Sequence, residues 1–151
     1  MIELIATVVI TASSVLLFAY WFRYTCLLIL SAKTARDYTS DVAYSNSLLF
    51  PEVQMQLNQS GSPDLDKLRA ALERDYRVVR NMMKYMPAPQ EGQFALEARM
   101  LAINFRLMGA WYQATRHISG STAARALGEM SMVVAHFANV MGEQAASGAA
   151  A

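Results

Sequence analysis

Residues 4–22, LIATVVITASSVLLFAYWF, make a run of nineteen residues without a charge. At about 1.5 Å per residue such a run gives about 30 Å of helix, the thickness of a bilayer hydrocarbon core. A transmembrane helix is therefore the first expectation, and Ile2 lengthens it if Glu3 sits at the boundary. A cleaved secretory signal would need a basic n-region, an apolar run of roughly 7 to 15 residues and a small-residue cleavage site. Met1, Ile2 and Glu3 supply no Lys or Arg, the run is too long, and the aromatic cluster Tyr20, Trp21, Phe22 and Tyr24 closes it. A retained anchor over residues 1–23 is the better reading.

The flanking charges orient that anchor. Lys and Arg close to a span resist translocation, whereas Asp and Glu count for little. Only the α-amino group precedes the run, while Arg23, Lys33 and Arg36 follow it. The expected topology puts the N-terminus outside and the remainder in the cytoplasm, as in a bacterial inner membrane. Tyr20, Trp21 and Tyr24 then form an interfacial belt, with Arg23 snorkelling toward phosphates. Within the span Thr7, Thr11 and Ser14 share a face, where small hydroxyl side chains permit close helix approach. Past Arg23, the residues Tyr24, Leu27, Leu28, Ala35, Tyr38 and Val42, with Ser31 between them, recur at spacings of three and four. That is one narrow helical stripe and predicts a juxtamembrane helix over 24–48.

The remaining chain has an ordinary composition. The whole sequence is 54% hydrophobic and 17% charged with a net charge of +1, which leaves a single small domain beyond the anchor and carries no nucleic-acid footprint. Cys26 is the one cysteine, so no internal disulfide forms, and a small apolar filler is its expected role.

Punctuation divides residues 49–141 into helices. Pro51 suits the first turn of a short connector helix, because an N1 residue needs no amide donor. SGSPD then restarts the chain, with Ser62 as cap, Pro63 at N1, and Asp64 and Asp66 near the positive end of the helix dipole. This second helix runs to about Met86, before PAP. Leu65, Leu68, Leu72, Tyr76, Val79, Met83 and Met86 fall on one arc. Opposite them lie Lys67, Arg69, Glu73, Arg74, Arg77, Arg80 and Lys84, and the unopposed cations Arg77, Arg80 and Lys84 suggest a face for anionic lipid. A third helix, about Gln93 to Ile118, is apolar around most of its circumference, with only Arg99, Arg106, Gln113 and His117 as a polar strip. Such a helix is central in a bundle or shared with a partner. Its Leu101, Phe105, Met108 and Tyr112 stripe is assigned to the core, which leaves Leu96, Ile103, Leu107 and Ala114 as a candidate partner interface. The fourth helix, begun by SGS at 119–121, turns Leu127, Met130, Val134, Phe137 and Met141 inward and Arg125, Glu129 and His136 outward. Residues 142–151 read as a disordered tail.

Few residues gather into chemistry. His117 and His136 fall on polar faces, outside any spacing that would collect metal ligands, and the chain has no phosphate-loop or nucleophile-elbow motif. No catalytic residue, cofactor or metal is expected. The ten methionines lie mostly at core spacing and read as packing. Glu97 and Asn104, seven residues apart in an apolar sector, form a candidate buried polar site, since a buried carboxylate must be bonded, paired or protonated.

The expectation is thus an all-α protein: one N-terminal transmembrane helix followed by a small cytoplasmic bundle of three main helices plus a connector. The expected function is a membrane-anchored, non-enzymatic interaction or scaffold protein, or accessory subunit of a membrane complex, with a protein partner or a second copy of itself and no nucleic acid. Two alternatives stand beside it. One is a sensor holding a small apolar ligand in a cavity lined by Met83, Met108 and Trp111; the other is a non-catalytic subunit of a membrane enzyme.

Overall fold

A computed structural model of the 151-residue chain describes residues 1–32, 34, 36–59, 61–86 and 92–149. Among the described residues the chain is all-helical: α1 (Ile2–Ser31), α2 (Thr39–Ser45), α3 (Phe50–Asn58), α4 (Leu65–Met83), α5 (Gln93–Thr115) and α6 (Gly120–Ala149), with no strand. The chain divides into two compact units, residues 1–32 and 33–151.

The first unit is α1. It is long and apolar enough to cross a membrane, with a mean hydropathy of 2.2 in its most apolar window and none of that window buried. Thirty residues correspond to about 45 Å, roughly ten residues more than a hydrocarbon core requires. The hydroxyls of this helix bond to their own backbone: Thr7 donates to the Glu3 carbonyl and Ser14 to that of Ile10, each at 2.8 Å. Such bonds satisfy a hydroxyl in an apolar setting without a second helix. Near the charged end, Tyr20, Trp21 and Tyr24 pack their rings within 6.0 to 6.3 Å of one another.

The helix expected over 24–48 is two helices. Residues 24–31 continue α1, which ends where Ala32 turns extended. Asp37 Oδ1 then accepts from the Thr39 amide at 2.9 Å and from the Thr39 hydroxyl. This local turn gives the backbone an alternative to a continuous helix and starts α2. Of the narrow stripe, Ala35 lies outside the described residues, as does Lys33.

In the second unit α6 is the hub, packing on α2, α3, α4 and α5. The apolar girth of α5 predicts a central helix or a shared one, and the centre belongs to α6. Side-chain size explains the difference. Ala123, Ala126, Ser131, Ala138 and Gly142 are all buried on α6, so neighbours approach it from several sides, whereas the bulky residues of α5 cover one flank and leave the other open. Leu127, Met130, Val134, Phe137 and Met141 fill the centre together with Leu72, Val79, Leu101 and Tyr112.

The punctuation holds with local shifts. Pro51 sits in the first turn of α3. The cap of α4 is Asp64, two residues after Ser62: its side chain accepts from the Lys67 amide at 3.3 Å, and a carboxylate complements the helix dipole better than a neutral hydroxyl. Helix α4 ends at Met83, short of Met86, and the PAP segment lies outside the described residues. Ser119 receives the Thr122 amide at 3.4 Å at the head of α6. The segment 142–149, expected as a disordered tail, is the last part of α6. Alanine is the best helix former, and this end is anchored because Met141 and Gly142 are buried. A side chain at Gly142 would overlap Tyr38, so glycine permits α2 to lie directly on α6 there.

Candidate functional site

Helix α5 presents two unlike faces. Leu101, Phe105, Met108 and Tyr112 are buried against the rest of the unit. On the far side Leu96 is 59% exposed, Ile103 56%, Leu107 45% and Trp111 52%, and Ala114 is exposed between them. The steps of seven, four, four and three from Leu96 to Ala114 keep these side chains on one stripe of a 3.6-residue helix. Trp111 thus joins the four residues expected there; its spacing from Leu107 was the signal that could have added it. The trio expected to line a ligand cavity is dispersed, with Trp111 outward, Met108 buried and Met83 in a separate depression.

Arg77 and Arg80 on α4 and Lys84 just past its end are exposed but not equivalent. Arg80 donates to the Tyr76 hydroxyl at 2.8 Å, and Lys84 to Asn81 Oδ1 at 3.4 Å. Both line a depression that Arg99 and Arg106 of α5 enter from the opposite side. Arg77 donates from Nε to the Glu73 carbonyl at 3.3 Å and lines the next depression along. Tyr76 and Arg106 belong to both linings, and Phe105, stacked on Tyr76 with centroids 4.0 Å apart, belongs to the second.

The polar residues of the α5–α6 interface differ from expectation in orientation. Asn104 is fully buried and donates from Nδ2 to Glu129 Oε1 at 2.7 Å. Glu129, expected to face outward, is therefore turned toward α5, because a buried amide needs an acceptor. His136, also expected outward, is half-buried beside Phe137. Burial holds its imidazole pKa below the usual value, partly offset by the nearby carboxylates of Glu97 and Glu143. His117 is exposed, and its Nε2 accepts from Arg116 Nε at 2.9 Å.

Three polar anchors escaped the sequence reading. Asp75 is fully buried on α4, and its Oδ2 accepts from the Leu49 amide and, at 2.8 Å, the Phe50 amide. Asn139 accepts from the Tyr38 amide at 2.7 Å and donates to Thr34 Oγ1 at 3.0 Å. Asp66 Oδ1 receives the Tyr112 hydroxyl at 2.8 Å and Arg116 Nη1 at 2.9 Å. The Tyr112 bond, with Arg116 nearby, lowers the Asp66 pKa, while burial and Asp66 raise that of Tyr112. Each carboxylate or amide here is spent on tying one segment to another. No group of three or more His, Cys, Asp or Glu among the described residues gathers as metal ligands.

No family model, curated protein or solved structure matches the chain.

Proposed function

We propose that the chain is a membrane-anchored, non-enzymatic interaction module: α1 crosses the bilayer with its N-terminus outside, and the second unit is a cytoplasmic helical bundle that meets a partner through the outer stripe of α5. The observation that carries this reading is the exposure of Leu96, Ile103, Leu107 and Trp111 on one line of one helix. Scattered apolar residues on a surface need no explanation, but a contiguous row of large ones marks an interaction site. A second copy of the chain or another membrane subunit is the occupant. The commitment of Asp75, Asp66 and Glu129 to internal bonds favours a binding role over an enzymatic one. The orientation rests on Arg23, Lys33 and Arg36 following the span.

The test is solubilisation of the full chain from membranes in mild detergent, followed by mass determination and identification of co-purifying chains. A dimer or a stoichiometric partner is expected. A monomer without partner overturns the interaction reading, and release by alkaline carbonate overturns the span.

A further inference from the structure

Helices α4 and α5 both pack on α6, and the space between them is a shallow groove rather than a filled seam. One part of it has a volume of about 430 Å³ and carries four cations, Arg80 on α4, Lys84 just past its end, and Arg99 and Arg106 from α5, with no carboxylate among the described residues of its lining. Its apolar surface comes from Met83, Ile103 and Phe137. Among the described residues no carboxylate pairs with Arg99 or Arg106. Four cations on two facing helices repel one another, and an anion between them relieves that repulsion while accepting charge-assisted hydrogen bonds.

We propose that this groove binds the phosphate headgroup of an anionic membrane phospholipid, with the start of its acyl chains on Met83 and Ile103. The inference rests on the membrane reading above. Charge complementarity sets the sign of the ligand, and the mixed lining requires an amphiphile rather than a bare ion. Size decides between a lipid and an acidic helix of a partner. A docking helix needs a continuous trough about 10 Å wide, whereas the space between α4 and α5 is two short depressions that share Tyr76 and Arg106 at their common border. A volume of this order suits one headgroup and a few methylenes. The expected face Arg77, Arg80 and Lys84 becomes a two-sided clamp in which α5 supplies half of the charge and Arg77 has no part in the first depression.

The experiment counts lipids retained by the full chain in neutral detergent, by native mass spectrometry, with phosphatidylglycerol and phosphatidylcholine offered in equal amounts. One phosphatidylglycerol is expected to be held in preference to phosphatidylcholine. Arg99→Gln with Arg106→Gln, at two exposed positions, should reduce that retention roughly tenfold, the loss of about one charge-assisted hydrogen bond. Arg99→Lys with Arg106→Lys should preserve most of it, and Arg125→Gln, an exposed cation of α6, should leave it unchanged. Equal retention of both lipids, or wild-type retention by the double Gln variant, overturns the site. Complete displacement by millimolar inorganic phosphate reassigns it to a free phosphate, and tighter binding of an acidic amphipathic peptide reassigns it to a protein partner; either outcome overturns the lipid assignment. Carbonate extraction tests the span independently, so lipid retention by a chain that carbonate releases would leave the groove standing without the anchor.

Discussion

Asp75, at the middle of α4, caps a helix other than its own: its Oδ2 accepts from the Phe50 amide at 2.8 Å at the start of α3. Its other oxygen lies 3.3 Å from Arg74 Nη2, and Arg74 in turn donates to the Ser47 carbonyl at 2.7 Å. One carboxylate therefore fixes the 46–50 corner, where Ser47 adopts a left-handed φ of 52°. Asp75→Ala should cost about 2–4 kcal/mol, since it strands buried amides and removes a trans cap. Asp75→Asn keeps an acceptor but turns a donor toward Arg74, so it should fall between wild type and the alanine variant. Chemical denaturation in detergent measures both, and an Asp75→Ala variant as stable as wild type would remove the cap from the account.

Leu107→Arg probes the outer stripe of α5. Leu107 is 45% exposed, so the substitution opens no core cavity, and its effect on the melting temperature should be about 2 °C or less. Association, read by mass in detergent, should be lost, because a charge in an apolar interface acts on binding rather than folding. Unfolding of this variant would place Leu107 in the core.

Gly142→Ala should run against helix propensity. An alanine for glycine inside a helix ordinarily stabilises by about 1 kcal/mol. At Gly142 the added methyl meets the Cβ of Tyr38, which cannot swing aside. A net destabilisation of about 1–3 kcal/mol is expected. Combining it with Tyr38→Gly should give strong non-additivity in a double-mutant cycle; simple additivity would mean that the two residues do not touch.

Acid should weaken the second unit through His136. Burial holds its folded pKa below the ordinary imidazole value of about 6.5, so the unfolded chain binds the proton first. Stability is then full above the unfolded pKa and is lost as the pH falls from about 6.5 through the folded value. Glu97 and Glu143 limit the effect by favouring the charged imidazole. His136→Gln should flatten the fall in melting temperature between pH 7 and pH 5, and an unchanged slope would assign that fall to other groups.

Periodicity made much of this architecture legible. The apolar arc of α4 and the separation of Leu101, Phe105, Met108 and Tyr112 from Leu96, Ile103, Leu107 and Ala114 follow from angles around a helix, which a sequence states directly. Polar anchors do not follow that way. Asp75 lies just beside the apolar arc of α4, and only the arrival of α3 makes it buried. Glu129 looks like a solvent-facing residue until Asn104 of α5 supplies the donor. The groove was half visible for the same reason: Arg80 and Lys84 form a row on one helix, but Arg99 and Arg106 join them only through the docking of both helices on α6. The choice of α6 as centre depended on small residues that composition alone lists as permissive, and the break before α2 on a single turn at Asp37.

Asn139 and Tyr38 are joined by a hydrogen bond across 101 residues of chain, and the helix that closes this loop is synthesised after the other five. Because α2, α3, α4 and α5 all rest on α6, none of them gains its main packing surface until α6 has been made. During translation the emerging chain therefore carries four amphipathic segments without a common support, while α1 is already available to a membrane. Folding of the second unit thus waits on the thirty residues of α6, and a chain stalled before them would leave its apolar faces open to chaperones and proteases.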